Sequence, residues 1–438
     1  MAVFRHFRLC TFWKLIVILV LATILLQAWH MMMLFQLESK VKHNWTSNGE
    51  SQNEVFPGKN DTSQGQRQET NGSIESLMKK MWEKVRAANV LDQSGSYVVI
   101  DNILEGSNSE EDHTQDVTIV TQCSSNHLHH LVTLSKTWNG PISVSVFTHD
   151  QDTQFAIYTI AYLIACVKNV SKQVLFHIAI PVKNLPIPFD LYNTTVSCND
   201  RTDTIQSKSK HLNYEVQGLE YPNNLLRNIA IQAAKTSFVF IIDIDTLPSP
   251  DLRISFNVFI KRHKHFMNSS SPVAFVVPSF EVNSQVDISS IHTKTDLKKV
   301  WSDSKVRPFY FELCWKCQRY TDYEQWGQLP DFDFLEIGYF VEWEDPWEPF
   351  FIAKKSDLPL YDERFKQYGF NRISQVCESY VKGFRFAVLN NAFLLHHEFK
   401  IPKNFHAKKE DEQNRNRQLF REFKRELKLK YPMSDRSC

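Results

Sequence analysis

Four nearly unbroken runs of apolar residues, separated by helical segments, limit the fold of this chain more than any other feature of its sequence. The apolar runs cover residues 116–121, 141–147, 173–180 and 237–242, and helices are predicted at 127–138, 153–167 and 223–235. Strands without alternating polar residues are buried on both faces, and parallel strands need a crossover, usually a helix. The sequence therefore predicts an α/β fold, a mostly parallel sheet flanked by helices.

The last of these runs ends in two acidic residues. It reads Phe238-Val-Phe-Ile-Ile242 and continues as Asp243-Ile-Asp245. In an open α/β sheet, ligands bind at the carboxyl ends of the strands. Two carboxylates there suit Mn²⁺ or Mg²⁺, which keeps positions open for phosphate oxygens and can stabilise a departing nucleoside diphosphate. The alternative is a turn, because acidic residues before a proline often form one.

The composition argues against two classes of binding protein. The chain of 438 residues carries 50 Lys and Arg against 49 Asp and Glu, a net charge of +1, so no nucleic acid is expected as a partner. With 12 glycines in total, a glycine-rich phosphate loop is also disfavoured. The nucleotide site is therefore sought at the acidic pair.

An uncharged stretch near the amino terminus predicts a membrane anchor. Residues 15–37 contain no Asp, Glu, Lys or Arg, and Arg5, Arg8 and Lys14 precede them. As a helix the stretch would span roughly 34 Å, enough for a hydrocarbon core of about 30 Å. The flanking charges predict a cytoplasmic tail at residues 1–14 and a lumenal remainder, a type II topology. A cleaved signal peptide is the alternative, although no small-residue cleavage site follows.

Residues 38–75 are predicted to form a flexible lumenal stem, and residues 76–438 the folded domain. The stem is rich in Ser, Asn, Gln, Glu and Thr, and it cannot bury enough apolar surface to fold. Six acceptor sequons predict N-glycosylation in a secretory compartment. The sequon residues are Asn44, Asn60, Asn71, Asn169, Asn193 and Asn268.

Cysteine usage agrees with an oxidising compartment. Of the eight cysteines, Cys10 precedes the anchor, which leaves seven on the lumenal side. Disulfides persist there, and an odd number leaves at least one thiol unpaired within the chain. Cys314-Trp-Lys-Cys317 has no second pair of the same spacing, so a zinc site is the weaker interpretation.

The segment around the acidic pair resembles a known family. It reads YPNNLLRNIAIQAAKTSFVFIIDIDTLPS over residues 221–249. Further blocks are WNGPISVSVF (138–147), VRPFYFELCWKC (306–317), EDPWEPFFIA (344–353), YDERFKQYGFNRISQVCE (361–378) and VLNNAFLLHHEFK (388–400). Together these blocks are similar to the glucuronyltransferases of glycosyltransferase family 49, the group that includes the carboxyl half of LARGE-type enzymes.

The resemblance implies a GT-A fold, in which a nucleotide-binding α/β layer carries the Asp-X-Asp motif at its edge. It implies Mn²⁺, or Mg²⁺ in its place, on the phosphates of a UDP-sugar, with Asp243, Asp245 and His396 as ligands. On residue chemistry alone, a histidine after a strand is more often structural. The resemblance is what favours His396.

A glucuronate donor carries a carboxylate, which an arginine fork binds well. Arg227, on the helix just before the acidic pair, and Arg372 are therefore expected in the donor site, with Arg307 and Arg364 as alternatives. Each of these arginines could instead form an ion pair that stabilises the fold. Sugar-binding aromatic residues are also expected, although several of the candidates could equally belong to the core. The candidates are Tyr310, Phe311, Trp315, Trp343, Trp347 and Phe350.

The resemblance implies inversion at the anomeric carbon, and inversion needs a carboxylate to take the proton of the acceptor hydroxyl. Many inverting GT-A enzymes hold that base just after a glycine–aromatic pair. Here the stretch is Gly369-Phe-Asn371-Arg and contains no acid. The nearby acids are Asp345 and Glu348 in one block and Asp362 and Glu363 in the next. Among these, Glu348 is the first candidate for the catalytic base and Asp362 the second.

The function implied is transfer of glucuronic acid from UDP-glucuronate, in β-1,4 linkage, to a terminal xylose on O-mannosyl glycans of alpha-dystroglycan. It implies a type II protein of the Golgi membrane that primes matriglycan extension, with LARGE-type enzymes as possible partners. Two alternatives stay open. The same fold could use another donor for N-acetylglucosaminyl or xylosyl transfer, or the protein could be a non-catalytic lumenal scaffold for other transferases.

Overall fold

The computed structural model describes residues 63–104, 115–150, 152–186, 198, 214, 218–267, 271–332, 334–401 and 409–438. For residues 63–73 it describes the backbone alone. The predicted tail, the predicted anchor and most of the predicted stem lie outside these ranges. So do the sequons at Asn44, Asn60, Asn193 and Asn268. In the ranges given above, no helix has the length and apolar character needed to cross a membrane.

Strands and short helices alternate through both halves of the chain. The strands are β1 (Tyr97–Ile100), β2 (Val117–Ser124), β3 (Ile142–Phe147), β4 (Val174–Pro181), β5 (Phe238–Ile241), β6 (Thr246–Pro248), β7 (Val273–Val276), β8 (Ser279–Val282), β9 (Val306–Pro308), β10 (Glu336–Val341), β11 (Phe351–Lys354), β12 (Arg385–Asn390) and β13 (Leu394–His397). The helices are α1 (Ser63–Ala87), α2 (His130–Trp138), α3 (Asp152–Cys166), α4 (Lys168–Gln173), α5 (Asn223–Ala233), α6 (Leu252–Arg262), α7 (Lys294–Ser302), α8 (Phe311–Cys314), α9 (Tyr323–Gln328), α10 (Asn371–Lys382) and α11 (Lys409–Lys430).

Two sheets organise these elements. The larger has the strand order β1-β4-β3-β2-β5-β11-β7-β12-β10, and the smaller has the order β6-β13-β8-β9. In the larger sheet, β4, β3, β2 and β5 run parallel to one another. They are the four predicted strands, and their residues are buried almost throughout, as parallel strands covered by helices require.

The prediction of a mostly parallel sheet holds only for this half. β11 runs antiparallel to both β5 and β7, and β10 runs antiparallel to β12. On the opposite edge β1 is antiparallel to β4. The added strands have four to six residues, too few for their periodicity to show a direction or a neighbour. The fold is therefore a mixed α/β architecture.

Helix α1 begins at Ser63, earlier in the chain than the predicted domain boundary at residue 76. Ile74, Met78 and Met81 are buried and follow one another at helical spacing, so they form one apolar stripe. The first turns of the helix are polar in sequence, and such residues gave no periodic signal. This is why the sequence placed them in the stem.

Three disulfides connect six cysteines of the described ranges. They join Cys166 to Cys198, Cys314 to Cys317, and Cys377 to Cys438. The remaining cysteine, Cys123, is a buried free thiol on β2. Cys123 is thus the unpaired thiol that the odd number of cysteines predicted. Cys314 and Cys317 form a disulfide and not part of a zinc site.

A buried ion pair fixes the start of β2 against α6. The carboxylate of Asp116 is 5 % exposed and accepts hydrogen bonds from Arg253 Nε at 3.0 Å and from Asn257 Nδ2 at 2.8 Å. Gly140 leaves the space for the arginine, because a Cβ atom at that position would lie 2.3 Å from Arg253 Cδ. The ion pair therefore connects β2, α6 and the loop between α2 and β3.

Arg253→Ala is expected to lower the free energy of unfolding by about 3 kcal/mol, because it leaves a buried carboxylate without its cation. The measurement is urea unfolding of the full-length chain followed by tryptophan fluorescence. Arg262→Ala is the matched control on the same helix: its partner Glu336 lies 3.8 Å away and the pair is partly exposed. That variant should lose about 1 kcal/mol or less. Equal losses in the two variants would contradict this account of Asp116.

Candidate active site

The acidic pair lies where the chain passes from the larger sheet to the smaller one. β5 belongs to the first sheet and β6 to the second, and Asp243 and Asp245 lie in the turn between them. The turn is closed by Thr246, whose backbone N–H and side-chain hydroxyl donate to the Asp243 carbonyl at 3.1 and 2.6 Å. The two carboxylates are therefore held at the carboxyl end of a parallel strand, where ligands bind in such sheets.

The small sheet brings His396 to this turn. β13 pairs with β6 so that His396 lies opposite Thr246, and its Nε2 atom is 3.1 Å from Asp245 Oδ2. The other ring nitrogen, Nδ1, lies 2.8 Å from the carbonyl oxygen of Glu398. A carbonyl oxygen only accepts, so Nδ1 carries the hydrogen.

Nε2 therefore presents either a lone pair or a second N–H towards Asp245. A lone pair facing a carboxylate at this distance needs a cation between the two atoms. A histidine that donates its other N–H to a carbonyl is also the usual form of a metal ligand. An imidazole oriented in this way beside Asp245 suits a divalent cation such as Mn²⁺.

Asp243 is turned towards two arginines. Its Oδ2 accepts a hydrogen bond from Arg372 at 2.6 Å, and Oδ1 lies 3.5 Å from Arg227. Burial alone would raise the pKa of Asp243, but the two guanidinium groups bring that pKa below its usual value. Across the part of the chain that the structure describes, no three His, Cys, Asp or Glu side chains converge on one point. The participation of Asp243 in a three-ligand set remains a prediction.

Both predicted donor-site arginines are buried and come from different helices. Arg227, on α5, donates to the side-chain oxygens of Asn224 at 3.1 Å and Asn371 at 3.0 Å. Arg372, in the first turn of α10, lies 4.0 Å from the centroid of the Phe350 ring. Asn371, where an acid was missing from the sequence pattern, thus orients a cation of the site.

The two alternative arginines are engaged elsewhere. Arg307 pairs with Glu281 at 2.8 Å, and Arg364 pairs with Asp362 at 2.6 Å and with Glu426 at 2.5 Å. Of the four arginines considered, Arg227 and Arg372 are the two that the fold places on the acidic pair.

Glu348, the first candidate for the catalytic base, is half-buried beside the same cluster. Its backbone N–H donates to the Cys317 carbonyl at 2.9 Å. Burial raises the pKa of its carboxyl group to about 7, although Arg372 and Arg227 act in the opposite direction. Among the described residues, no side chain or backbone group donates a hydrogen bond to this carboxylate. It can therefore take up a proton near neutral pH.

Asp362, the second candidate, lies in a different environment. Its two carboxylate oxygens accept from Arg364 Nε, each at 3.0 Å, and its backbone carbonyl accepts from Asn224. Both carboxylate oxygens of Asp362 are therefore occupied by a guanidinium group. The geometry thus favours Glu348 over Asp362 as the base.

Lys400 is a site residue that the sequence reasoning missed. Its Nζ lies 3.3 Å from Asp245 Oδ2, within reach of the rings of Phe309 and Tyr310. Burial would lower its pKa, but Asp245 holds the pKa above its usual value. The sequence feature that could have pointed to Lys400 is its position four residues after His396. The turn at Glu398, with φ of 79°, is what returns the side chain to the site.

A histidine cluster at the end of β2 was also missed. The His129 and His130 rings lie 4.1 Å apart, and the charge of Asp245 acts on both His127 and His130. Burial lowers the pKa of His130 to about 4, so this imidazole is neutral at physiological pH. In the sequence nothing separated these histidines from ordinary helix-start residues.

Helix α11 supports the segment that leads into Arg372. Asn416 Nδ2 lies within 2.9 to 3.0 Å of three carbonyl oxygens just before α10, those of Lys366, Tyr368 and Gly369. The Cys377–Cys438 disulfide then ties α10 to the end of the chain. The position of Arg372 therefore depends on contacts made by residues 409–438.

The two sequons with described backbone lie in helices. Asn71 is in α1, where only the backbone is described. Asn169 is in α4, half-buried, and its Nδ2 donates to the Ser135 carbonyl at 3.3 Å. Glycan attachment at these residues remains a prediction.

Comparison with known proteins identifies the family of the chain. Residues 116–432 match the family described as "Glycosyl-transferase for dystroglycan". The chain is 34 % identical to beta-1,4-glucuronyltransferase 1 of Danio rerio over 450 residues, covering 99 % of this chain and all of that protein. It is 36 % identical to beta-1,4-glucuronyltransferase 1 of Homo sapiens over 377 residues, covering 84 % of this chain and 87 % of that protein.

A more distant relative is xylosyl- and glucuronyltransferase LARGE2s of Danio rerio, 28 % identical over 289 residues. That match covers 66 % of this chain and 32 % of the relative. The matched residues include the acidic pair, both buried arginines, Glu348 and His396. The chain belongs to the family of glycosyltransferases for dystroglycan, which confirms the family predicted from its sequence blocks.

Proposed function

We propose that this protein transfers glucuronic acid from UDP-glucuronate to a terminal β-xylose on the O-mannosyl glycan of alpha-dystroglycan, forming a β-1,4 linkage. The observation that carries the proposal is the cluster of Asp243, Asp245 and His396 with two buried arginines at the end of β5. The relatives named as beta-1,4-glucuronyltransferase 1, similar over most of both chains, support the choice of sugar and linkage.

The donor diphosphate belongs at the acidic pair, in a GT-A arrangement. Asp243, Asp245 and His396 would hold a divalent cation, Mn²⁺ by preference or Mg²⁺. When bound, that cation neutralises charge on the leaving UDP. Lys400, which lies 3.3 Å from Asp245, is close enough to add a second positive charge for the phosphates.

The arginines supply the specificity for a charged sugar. Arg227 and Arg372 both lie against Asp243, and Glu348 is a second carboxylate whose charge acts on them. A guanidinium fork matches the carboxylate or the phosphates of an anionic donor. Because Arg227 is also held by two asparagines, Arg372 is the one with more freedom to bind the glucuronate carboxylate.

Glu348 acts as the general base. It removes the proton from the acceptor hydroxyl as that oxygen attacks the anomeric carbon, and UDP leaves from the opposite side. Burial places the pKa of Glu348 near neutrality, where a base of this kind is effective. The absence of an acid at Asn371 is then no obstacle to catalysis.

We place the enzyme in the Golgi lumen as a type II membrane protein, with residues 15–37 as anchor and residues 38–62 as stem before α1. The sequons and the disulfides support a secretory compartment. The product would be the primer that LARGE-type enzymes extend to matriglycan, which makes those enzymes its functional partners.

Two alternatives are separated by one experiment on the full-length chain. Transfer to a β-xyloside is measured with Mn²⁺ and a panel of UDP-sugars. The expected result is transfer from UDP-glucuronate alone. Selective use of UDP-N-acetylglucosamine or UDP-xylose would contradict the proposed donor. Binding of UDP without any transfer would support a non-catalytic scaffold. The two buried arginines argue against a scaffold, because a scaffold needs no site for an anionic donor.

A further inference from the structure

Two aromatic side chains are exposed close to the proposed reaction centre. Phe311 is 48 % exposed and Trp315 is 40 % exposed, and their ring centroids are 5.5 Å apart at an interplanar angle of 61°. Of the other aromatic residues predicted as a sugar platform, Trp343, Trp347 and Phe350 are buried in the core. The structure thus reduces the predicted platform to one exposed pair.

Site residues bracket the segment that carries this pair. On one side, the Tyr310 ring lies 5.8 Å from Lys400 Nζ, which contacts Asp245. On the other side, the Cys317 carbonyl accepts the backbone N–H of Glu348 at 2.9 Å. Along the chain, the exposed pair therefore lies between one residue that contacts Lys400 and another that holds the backbone of Glu348.

The segment is held in place although its two rings face solvent. The Cys314–Cys317 disulfide closes it, and the Tyr310 N–H donates to the buried carboxylate of Glu281 at 2.7 Å. The Trp315 ring also lies 6.2 Å from the ring of the buried Tyr323. Exposed aromatic rings on a segment fixed at both ends form a preorganised surface, which lowers the entropic cost of binding.

We propose that Phe311 and Trp315 form the acceptor subsite, on which the terminal β-xylopyranose of the acceptor glycan stacks. All hydroxyl groups of β-xylopyranose are equatorial, so both faces of the ring present only C–H groups. An aromatic ring removes such an apolar face from water while the hydroxyl groups at the rim stay free to hydrogen-bond. This inference rests on the proposed function, because the stacking sugar is the acceptor of that reaction.

The stacked orientation also suits the chemistry. The rim hydroxyl groups of a stacked sugar point sideways from the aromatic surface, and the backbone of Glu348 is hydrogen-bonded to Cys317, two residues after Trp315. The acceptor hydroxyl then stays free to approach the base. A neutral pentose is bound by shape and apolar contact, whereas the donor is bound by charge.

The test is a comparison of Trp315→Ala and Phe311→Ala with Phe340→Ala in the full-length chain. Phe340 is an equally exposed aromatic residue, 51 % accessible, on β10 at the far edge of the larger sheet. The KM for a β-xyloside is expected to rise roughly tenfold in Trp315→Ala. The KM for UDP-glucuronate and the slow hydrolysis of that donor in the absence of acceptor should not change. Trp315→Phe should restore most of the acceptor affinity.

The inference is wrong if the acceptor KM of Trp315→Ala equals that of Phe340→Ala. It is also wrong if the donor KM or donor hydrolysis changes by the same factor, because the defect would then be in the whole site. If the wild-type chain transfers no glucuronate, the proposed function fails. Binding of methyl β-xyloside, measured by saturation-transfer NMR on the wild type and the same variants, then decides the subsite.

Discussion

Asp245→Asn is expected to abolish glucuronate transfer and Mn²⁺ binding together, with a fall in kcat/KM on the order of 10³-fold or more. Two side chains of the site contact the same oxygen of this carboxylate. His396 Nε2 lies 3.1 Å and Lys400 Nζ lies 3.3 Å from Asp245 Oδ2. Burial would raise the pKa of Asp245, yet Lys400 and His396 bring it well below its usual value, so it stays ionised. An amide of the same shape keeps the packing and removes the charge.

Two measurements separate a lost metal site from a lost fold. Mn²⁺ binding in the presence of UDP is followed by titration calorimetry, and thermal unfolding is followed without ligand. Asp251→Asn is the matched control, an exposed aspartate at the start of α6 whose left-handed φ of 57° asparagine also tolerates. Full Mn²⁺ affinity in a folded but inactive Asp245→Asn chain would rule Asp245 out as a ligand.

Glu348→Gln is expected to lower kcat by roughly 10²- to 10⁴-fold while UDP and Mn²⁺ still bind. Glutamine keeps the size of the side chain but cannot take the acceptor proton. The expected signature is a loss of turnover without a loss of donor affinity. A variant that loses donor binding in parallel would instead place Glu348 in the donor pocket.

The pH dependence follows from the raised pKa of Glu348. A base works only when ionised, and burial sets the pKa of this carboxyl group at about 7. The wild-type rate should therefore be low below pH 7 and rise through it. Arg372 and Arg227 act on the group to lower the pKa, and Asp243 acts to raise it. In Glu348→Gln the residual rate should lack this rise.

Two further variants identify the base by elimination. Glu344→Gln changes an exposed acid of the same segment and should be close to wild type. Asp362→Asn removes one of the two acidic partners of Arg364, and it should affect stability more than turnover. If Asp362→Asn shows the loss of kcat and Glu348→Gln does not, the roles assigned to the two acids are reversed.

The first half of the fold could be predicted because its signals are local. β2 to β5 are short segments rich in β-branched and aromatic residues, and an acidic pair just after a strand is placed without knowledge of the rest. In the second half, the strands are short and their partners are distant in sequence. Nothing in residues 351–354 indicates that β11 inserts antiparallel between β5 and β7.

The residues of the candidate site also divide into those that the sequence could identify and those that it could not. His396 was found through the resemblance, and Glu348 through the short list of acids near the expected site. Lys400 was missed because its place depends on a single turn at Glu398. Phe311 and Trp315 could not be told from the buried Trp343 and Trp347, because exposure is decided by long-range packing. Residue type gave the candidates, and only the three-dimensional contacts separated them.

The support that Asn416 and Cys438 give to α10 bears on how truncations near the carboxyl terminus should be weighed. A chain that ends just after Lys400 keeps the acidic pair, His396 and Lys400, so its defect is easily judged mild. Such a chain would nevertheless lack α11 and the cysteine that pairs with Cys377. The segment before Arg372 would lose the hydrogen bonds from Asn416, and an arginine of the proposed donor pocket would lose its fixed position. Late truncations of this protein therefore belong with active-site variants.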